Sequence, residues 1–546
     1  MTSIFLAVLS SFLLILSFPK FNLSFFAWVG FVPLFIACGG KTRRQCFFLF
    51  YLSGLIFWAG ILYWLVQVNL IGFLLLIFYL ALYFGIFGLL IGYTLPRTAS
   101  LRGRHATHYT PKIATQKLAY RKLPTAYSLL PSVSYLLFLP CLWVSLEFIR
   151  SHLFTGFGWA LLGYSQYTNL PIIQIADVTG GYGVSFLIIL VNATIEQVLL
   201  EVKKQKSENR NYLFPFFYLL TVLCLLSSAF IYGYSKLTHF PLPTSHFLLR
   251  ISLIQGNIPQ HQKWDAQLKE SILSKYIHLS EQTAKSDSPH LIIWPETAVP
   301  AYFNQDKELK KRILSLSSEI NTPLLIGTAT FQKNKPGTRA MQGKSFNSAI
   351  LISSGKAVQQ YDKLHLVPFG EYAPSLFSFV RNFIEIGDFS KGREWKIFSL
   401  PSNLYPLSSF AVLICFEDVF PYLSRGFVKR GADFLINISN DAWFGKTSAP
   451  YQHCQSAVFR AVENRVNVIK CSNTGVSCFI SPAGRISGRL SKQGKDIFVA
   501  GYSTQKILIE KTPLTFYTRF GDVFAILCLL FCAGFGIIKR HEFSRI

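Results

Sequence analysis

Charged residues are scarce in this chain. They are 15% of its 546 residues, against about a quarter in a soluble globular protein. With 51% hydrophobic and 16% aromatic residues, that shortage excludes an ordinary soluble protein and the disordered and fibrous classes, and points to the membrane. Acids are scarcer still. The 27 Asp and Glu stand against 53 Lys and Arg, a formal net charge of +26, which suits either nucleic acid or anionic lipid, so the location of the charges decides between them. The ten cysteines include no Cys-x-x-Cys pair and no Cys/His ligand spacing, and Cys38, Cys141, Cys224, Cys528 and Cys532 lie inside apolar runs. Neither a disulfide framework nor a metal site is indicated. Internal repeats and low-complexity tracts are also lacking.

Long apolar runs are what the chain has instead. A spanning helix needs about 20 mostly apolar residues, and seven candidates precede residue 235, roughly 4–18, 23–38, 46–66, 71–95, 129–148, 184–200 and 213–232, with an eighth at 523–538. The first two are separated only by Pro19, Lys20, Phe21 and Asn22 and are expected to form a tight hairpin. A cleaved signal peptide is the rival reading of the first, but Met1, Thr2 and Ser3 supply no basic leader and no small-x-small cleavage site follows. Basic residues follow the even-numbered runs: Lys41, Arg43 and Arg44; Arg97, Arg102, Arg104, Lys112, Lys117, Arg121 and Lys122; Lys203, Lys204, Lys206 and Arg210; Lys539, Arg540 and Arg545. By the positive-inside rule both termini are expected in the cytoplasm and residues 236–519 outside. Much of the positive charge is then topological, and nucleic acid is not expected as a partner. The expected organisation is a seven-helix membrane domain (1–235), an extracytoplasmic domain (236–519), and an eighth helix with a cytoplasmic tail (520–546).

Composition changes abruptly in the outer segment. Short apolar runs at 249–254, 291–294, 323–328, 348–353, 410–415, 434–438, 466–471 and 476–480 read as strands, and 268–283 and 305–318 have helical spacing, so the segment reads as an α/β domain. Three strand ends carry chemistry. Ile292-Ile293-Trp294-Pro295-Glu296 ends an apolar strand in a proline, which cannot donate to a ladder, and then in a partly desolvated carboxylate suited to proton transfer. The second segment, Tyr361 to Tyr372, holds Lys363, His365 and Glu371 among aromatics in a loop punctuated by Pro368 and Gly370. The third, Ala411 to Asp418, delivers Cys415 from a strand into a turn and a helix through about residue 430, where helix N–H groups and dipole are expected to favour a thiolate. Taken singly, Glu296 also reads as a capping residue, Lys363 as a solvated surface residue and Cys415 as a buried structural thiol.

Together, and in the order Glu, Lys, Cys, these segments resemble the nitrilase superfamily. Gln255-Gly256-Asn257-Ile258-Pro259, Trp294-Pro295-Glu296-Thr297, Val367-Pro368-Phe369-Gly370-Glu371-Tyr372 and Ser439-Asn440-Asp441-Ala442-Trp443-Phe444-Gly445 look like one membrane-embedded family within it, the apolipoprotein N-acyltransferases, as does the hairpin with Ser17-Phe18-Pro19. The resemblance implies a polytopic α-helical membrane protein of about eight spans carrying an inserted α-β-β-α nitrilase-like sandwich. It implies an acyltransferase in which Glu296 is the base, Cys415 the nucleophile that forms a thioester, and Lys363 the oxyanion donor, with Glu371 and Glu417 in support. Trp264, Phe416, Glu417 and Trp443 match positions lining the pocket mouth. The family often has Tyr where Phe416 stands, so no hydroxyl role is carried over. No cofactor is implied. The implied partners are a phospholipid acyl donor, diacylglyceryl-modified apolipoproteins and membrane lipid, the implied state a monomer, and the implied location the bacterial inner membrane with the catalytic domain on the periplasmic side.

Two other classes share parts of the pattern. A membrane-anchored amidase or nitrilase would use the same triad on a small C–N substrate but needs no eight-span body. A transporter would need charged residues within its spans, and most spans lack them. Gly180-Gly181-Tyr182-Gly183 precedes an apolar run instead of following a strand, so it is read as a helix entry and not as a phosphate loop. Glu147 and Arg150, near the outer end of the fifth run, are read either as an ion pair or as a head-group contact.

Overall fold

The computed structural model describes residues 1–92, 126–208, 213–238, 247–333, 343–373, 387–400, 408–511 and 513–544. The basic residues between 97 and 122, with Arg210 and Arg545, lie outside them. Helices occupy every apolar run: Thr2–Leu16, Val32–Cys38, Arg43–Leu62, Leu70–Ile91, Ala126–His152, Gly181–Glu208, Leu213–Thr238 and Val523–Ser544. Among the described residues four stretches are long and apolar enough to cross a membrane, Arg43–Gln67, Leu70–Ile91, Gly181–Lys203 and Tyr218–Thr238, while Thr2–Leu16, Ser24–Cys38 and Val523–Ile538 are shorter. The second run is not one continuous helix. A 3-10 turn, Ser24–Trp28, precedes Val32–Cys38, and Asn192 from the helix Gly181–Glu208 meets the break, accepting from Phe31 N (2.8 Å) and donating to Ala27 O (2.9 Å). Freed backbone groups at this depth need such a partner.

Residues 247–509 form two stacked sheets. The strands are β1 (Phe247–Gln255), β2 (Leu291–Ile293), β3 (Val299–Tyr302), β4 (Leu324–Gln332), β5 (Lys344–Ser353), β6 (Lys356–Asp362), β7 (Phe398–Ser399), β8 (Ser409–Ile414), β9 (Phe434–Ser439), β10 (Asn467–Ser472), β11 (Cys478–Ile480), β12 (Ile486–Ser487) and β13 (Gly501–Ile509). One sheet runs β13-β1-β2-β4-β5-β6 with β3 beside β4, the other β12-β11-β10-β9-β8-β7. The two-residue period of a strand divides the first sheet. Leu249, Ile251, Leu253, Leu291, Ile293, Leu325 and Leu351 join the core that includes the second sheet, while Ile254, Ile292, Trp294, Leu324, Ile326, Ile350 and Ile352 pack with the helices Lys269–Asp287 and Lys307–Glu319. The helices Pro421–Lys429 and Ala449–Asn464 belong to the second sheet, completing the expected α-β-β-α order.

Ala449–Asn464 is buried on all sides because it lies between the second sheet and the membrane body. Gln452 is the clamp. Its Oε1 accepts from Trp159 Nε1 (2.8 Å) and Trp64 Nε1 (3.2 Å), and its Nε2 donates to Ile61 O (3.0 Å). Arg460 donates to Tyr164 Oη (2.9 Å) and pairs with Glu463 (2.7 Å), and Arg465 reaches Asp177 (2.8 Å). Glu147 and Arg150 act on each other through their charges, and their hydrogen bonds go to the backbone. Both are under 5% exposed, and they hold the 157–162 segment: Glu147 accepts from Leu162 N (2.7 Å), and Arg150 donates to Phe157 O (3.0 Å) and Trp159 O (2.8 Å). Gly180 is the left-handed cap of the helix Ala176–Thr179 and Gly181 opens the next helix, as the helix-entry reading expects.

Candidate active site

Three loops converge at one end of the sandwich. Glu296 sits in the turn after β2, where Ala298 N donates to Pro295 O (3.2 Å) and Thr297 has φ 43°. The turn presses on β4 closely enough that a Cβ at Gly327 would lie 2.3 Å from Pro295 O, so only glycine fits there. Lys363 follows β6, its N–H donating to Asn347 O (2.9 Å). Its ammonium, 1% exposed, lies 2.9 Å from both carboxylate oxygens of Glu371 and 3.8 Å from Glu296 Oε1. Asn347 Nδ2 bridges the two carboxylates at 2.8 Å each, and Glu371 is pinned in turn by Val367 N (2.8 Å). Although burial alone would lower it, the Lys363 pKa is held above its ordinary value by Glu371 and Glu296. It is therefore a fixed cation.

Cys415 follows β8 directly with φ 54°, a left-handed conformation that costs a non-glycine residue of order 1–3 kcal/mol and persists where the surroundings enforce it. Glu417 is the main enforcer. It accepts from Ile414 N (2.7 Å), Leu364 N (2.7 Å), His365 N (2.9 Å) and Tyr361 Oη (2.9 Å), tying the elbow of the cysteine to the loop of the lysine. Being fully buried, it does not line the pocket mouth as the resemblance implied. The expected dipole-stabilised thiolate is also not found. The expected helix is there, Pro421–Lys429, but a five-residue 3-10 turn, Cys415–Val419, separates the cysteine from its N-terminus. Burial pushes the thiol well above its ordinary value, Glu296 adds to the rise, and Lys363 opposes it. At rest Cys415 is a half-buried thiol in the field of the Glu296 carboxylate and the Lys363 ammonium.

Two family models match the chain, an apolipoprotein N-acyltransferase N-terminal domain over residues 10–194 and a carbon-nitrogen hydrolase domain over residues 250–507. A protein of Geobacter metallireducens named apolipoprotein N-acyltransferase is 38% identical over 99% of this chain and 95% of its own length. The chain belongs to the apolipoprotein N-acyltransferase family. A second member, from Chlorobaculum tepidum, is 29% identical over 96% of this chain and 94% of its own. Among solved structures, an amidase of the nitrilase superfamily from Nesterenkonia has TM-score 0.36 at 17% identity, covering 51% of this chain and 96% of its own.

In this apolipoprotein N-acyltransferase family member a buried charge cluster underlies Cys415. His453 lies between Asp441 (Nδ1 to Oδ1, 3.0 Å) and Asp418 (Nε2 to Oδ1, 2.9 Å), and its Nε2 also reaches Cys415 O (3.2 Å), which accepts from Asn437 Nδ2 (3.0 Å) as well. Lys470 joins Asp418 (3.3 Å) and Asn437 (2.5 Å). Desolvation works against the imidazolium, but the Asp418 and Asp441 carboxylates outweigh it and hold the His453 pKa up to about 9, from 6.5. The folded state thus binds the proton more tightly than the unfolded chain. Its contribution is complete below about pH 6.5 and is lost as pH rises through about 9, worth about 3 kcal/mol for a difference of that size. Thermal unfolding in detergent is expected to show this decline between pH 6.5 and 9 in the native protein and not in His453→Gln; equal slopes would count against the charged imidazole.

The aromatics sit further out. Trp264 and Trp443 are 50% and 53% exposed, and their loops are joined by Asn440, which donates to Gln260 Oε1 (2.8 Å) and accepts from Asn473 Nδ2 (2.9 Å). Phe416 stacks on Trp159 at 6.0 Å and meets Phe420 edge-on at 5.1 Å. Cys454, Cys471 and Cys478 are core thiols, no more than 2% exposed, with Cys471 donating to Ile254 O. Sequence reasoning missed Asn347, Asp418, Asp441, His453 and Lys470, and it also missed Lys263, whose ammonium donates to Glu296 O at 2.9 Å.

Proposed function

We propose that the protein transfers a fatty acyl chain from a phospholipid to the α-amino group of the diacylglyceryl-modified N-terminal cysteine of apolipoproteins, the last step of bacterial lipoprotein maturation. The observation that carries this reading is the site itself: a thiol on an enforced left-handed elbow, a carboxylate whose charge acts on it, and an ammonium fixed between two carboxylates, in a chain that is 38% identical over 99% of its length to a member of this acyltransferase family. Glu296 takes the proton of Cys415 as the sulfur attacks the ester carbonyl. The oxyanion is stabilised by Lys363 and a backbone N–H near Cys415, each such donor being typically worth about 3 kcal/mol. The C–O bond breaks, Glu296 returns the proton to the glycerol oxygen, and lysophospholipid leaves a thioester on Cys415. The lipid-modified amine then attacks the thioester, loses its proton to Glu296, and leaves as an amide while the thiol is restored. Trp264, Phe416 and Trp443 line the approach of these substrates, and Glu371 and Glu417 hold the reacting groups. No metal or cofactor enters these steps. An amidase with the same triad is the second reading; the family membership, and a membrane body that an amidase does not need, weigh against it.

Incubation of the purified protein with phospholipid is expected to add the mass of one long acyl chain to Cys415. Acyl mass on Cys471 or Cys478, or no adduct at all, would overturn the reading. The protein acts in this view as a monomer in the bacterial inner membrane, with about eight spans, the membrane domain over 1–235, the catalytic domain over 236–519 on the periplasmic side, and the last helix and cytoplasmic tail over 520–546. Single cysteines introduced near Gln332 are accordingly expected to react with an impermeant thiol reagent from outside, and those near Lys117 only after permeabilisation. The reverse pattern would sink the mechanism, because the lipoprotein substrate is presented at the outer face.

A further inference from the structure

Lys263 is buried (2% exposed) immediately before the half-exposed Trp264. Its ammonium has one hydrogen-bond partner among the described residues, the main-chain oxygen of Glu296 at 2.9 Å, although an ammonium has three donors. Besides Glu296, the charged or titratable group in its field is Cys415; beyond these stand Lys363 and Glu371. Lys363 is one cation facing two carboxylates, Glu296 and Glu371. Among these three groups the carboxylates outnumber the cation before any oxyanion forms, Glu417 adds to them in the field of Lys363, and Lys263 offsets part of that negative charge. Moving the Cys415 proton to Glu296 leaves the net charge unchanged.

We propose that Lys263, resting on the acyl-transfer reading above, is a positioning residue that anchors the Glu296 turn and supplies the second positive charge the pocket needs when Cys415 attacks. It acts through Glu296 and through its field, not by touching substrate. Burial pushes its pKa down to about 7, while the charges of Glu296 and Cys415 oppose that fall, so the charge it supplies is present at acid pH and fades as pH rises through neutrality. Arg at this position keeps its charge throughout.

The experiment is single-turnover release of lysophospholipid from phosphatidylethanolamine vesicles between pH 5.5 and 9, on native protein, Lys263→Arg and Lys263→Met. In parallel, Cys415 alkylation by iodoacetamide is followed by mass. The native rate is expected to fall as pH rises through about 7. Lys263→Arg is expected to move that fall to higher pH. Lys263→Met, which removes both the charge and the anchor of the Glu296 turn, is expected to lose about 100-fold at pH 6, a barrier change of about 2.7 kcal/mol, and to show no fall. A flat native profile, a fall left in place by Lys263→Arg, or a Lys263→Met rate within threefold (about 0.7 kcal/mol) of native would overturn the proposal. Unfolding of both variants would also overturn it, by reducing Lys263 to a structural anchor. If the native protein releases no lysophospholipid, the acyl-transfer reading fails instead, and the alkylation profiles still decide whether Lys263 sets the reactivity of Cys415.

Discussion

Lys363→Met is expected to fold less stably and to form no detectable acyl-enzyme, and adding Glu371→Gln is expected to restore stability without restoring the reaction. The two effects separate because Lys363 has two roles. Structurally it is the counter-ion of two carboxylates in a buried pocket, and removing one partner of a buried ion pair costs about 3–5 kcal/mol because the other is left uncompensated. Neutralising Glu371 removes the larger part of that cost, the uncompensated charge, although the amide oxygen can accept from only one of the two donors that now hold its carboxylate, Asn347 Nδ2 and Val367 N. Chemically, Lys363 is the oxyanion donor in the proposed mechanism, and loss of one such donor costs about 10²–10³ in rate. The methionine keeps the volume of the stem while removing the charge. Unfolding temperature and lysophospholipid release measured on the same preparations check both halves. A double variant that acylates Cys415 within tenfold of the native rate would show that Lys363 is a structural ion and not an oxyanion donor.

The proposed triad was legible in the sequence for two different reasons: Glu296 and Cys415 follow the apolar strands β2 and β8, whereas Lys363 follows the mostly polar β6 and stood out only by its aromatic loop punctuated by Pro368 and Gly370. An apolar run leaves a residue of a different kind at its end conspicuous. What supports the triad was not legible, for three physical reasons. Asn347 lies within β5, where one polar residue among alternating positions reads as a solvent-facing side chain, and only the pairing of β5 with β4 and β6 turns it into the pocket. The helix Ala449–Asn464 carries Gln452, His453, Gln455, Arg460 and Glu463 on a segment that is buried all round. Its amphipathic pattern is erased because both of its faces meet protein, so neither the helix nor His453 stood out. β3 begins Val299-Pro300, β6 and the edge strand β13 are of mixed polarity, and β7 and β12 are two residues long, so none of these has the apolar run that marked the other strands. In the membrane body all eight runs were legible as helices. The break at residues 29–31 was not, because Asn192, the residue that compensates it, is more than 150 positions away. Lys263 was hidden for the simplest reason: a lysine beside an exposed tryptophan reads as surface.

The largest contrast expected of the intact enzyme is between one turnover and many. Given phospholipid alone, it is expected to release about one lysophospholipid per molecule and then stall, with the acyl chain held on Cys415. Water at about 55 M would otherwise hydrolyse the thioester, so the stall requires a pocket that excludes it, as closed sites do to suppress such side reactions. Phe416 packed against Trp159 and Phe420 closes one side, and the half-exposed Trp264, Trp443 and Phe369 offer apolar surface at the entrance. The activated carbonyl then waits for a nucleophile brought in by its own lipid, which the α-amine of a diacylglyceryl-cysteinyl peptide is and a water molecule is not. Adding that peptide is expected to restart lysophospholipid release and to yield an N-acylated product in equal amount. An N-acetylated peptide, which has no free amine, is expected to leave the enzyme stalled although it binds with the same lipid. Continuous release of free fatty acid in the absence of peptide would mean that water reaches the thioester as readily as an amine does, and the enzyme would then be a hydrolase on the same triad.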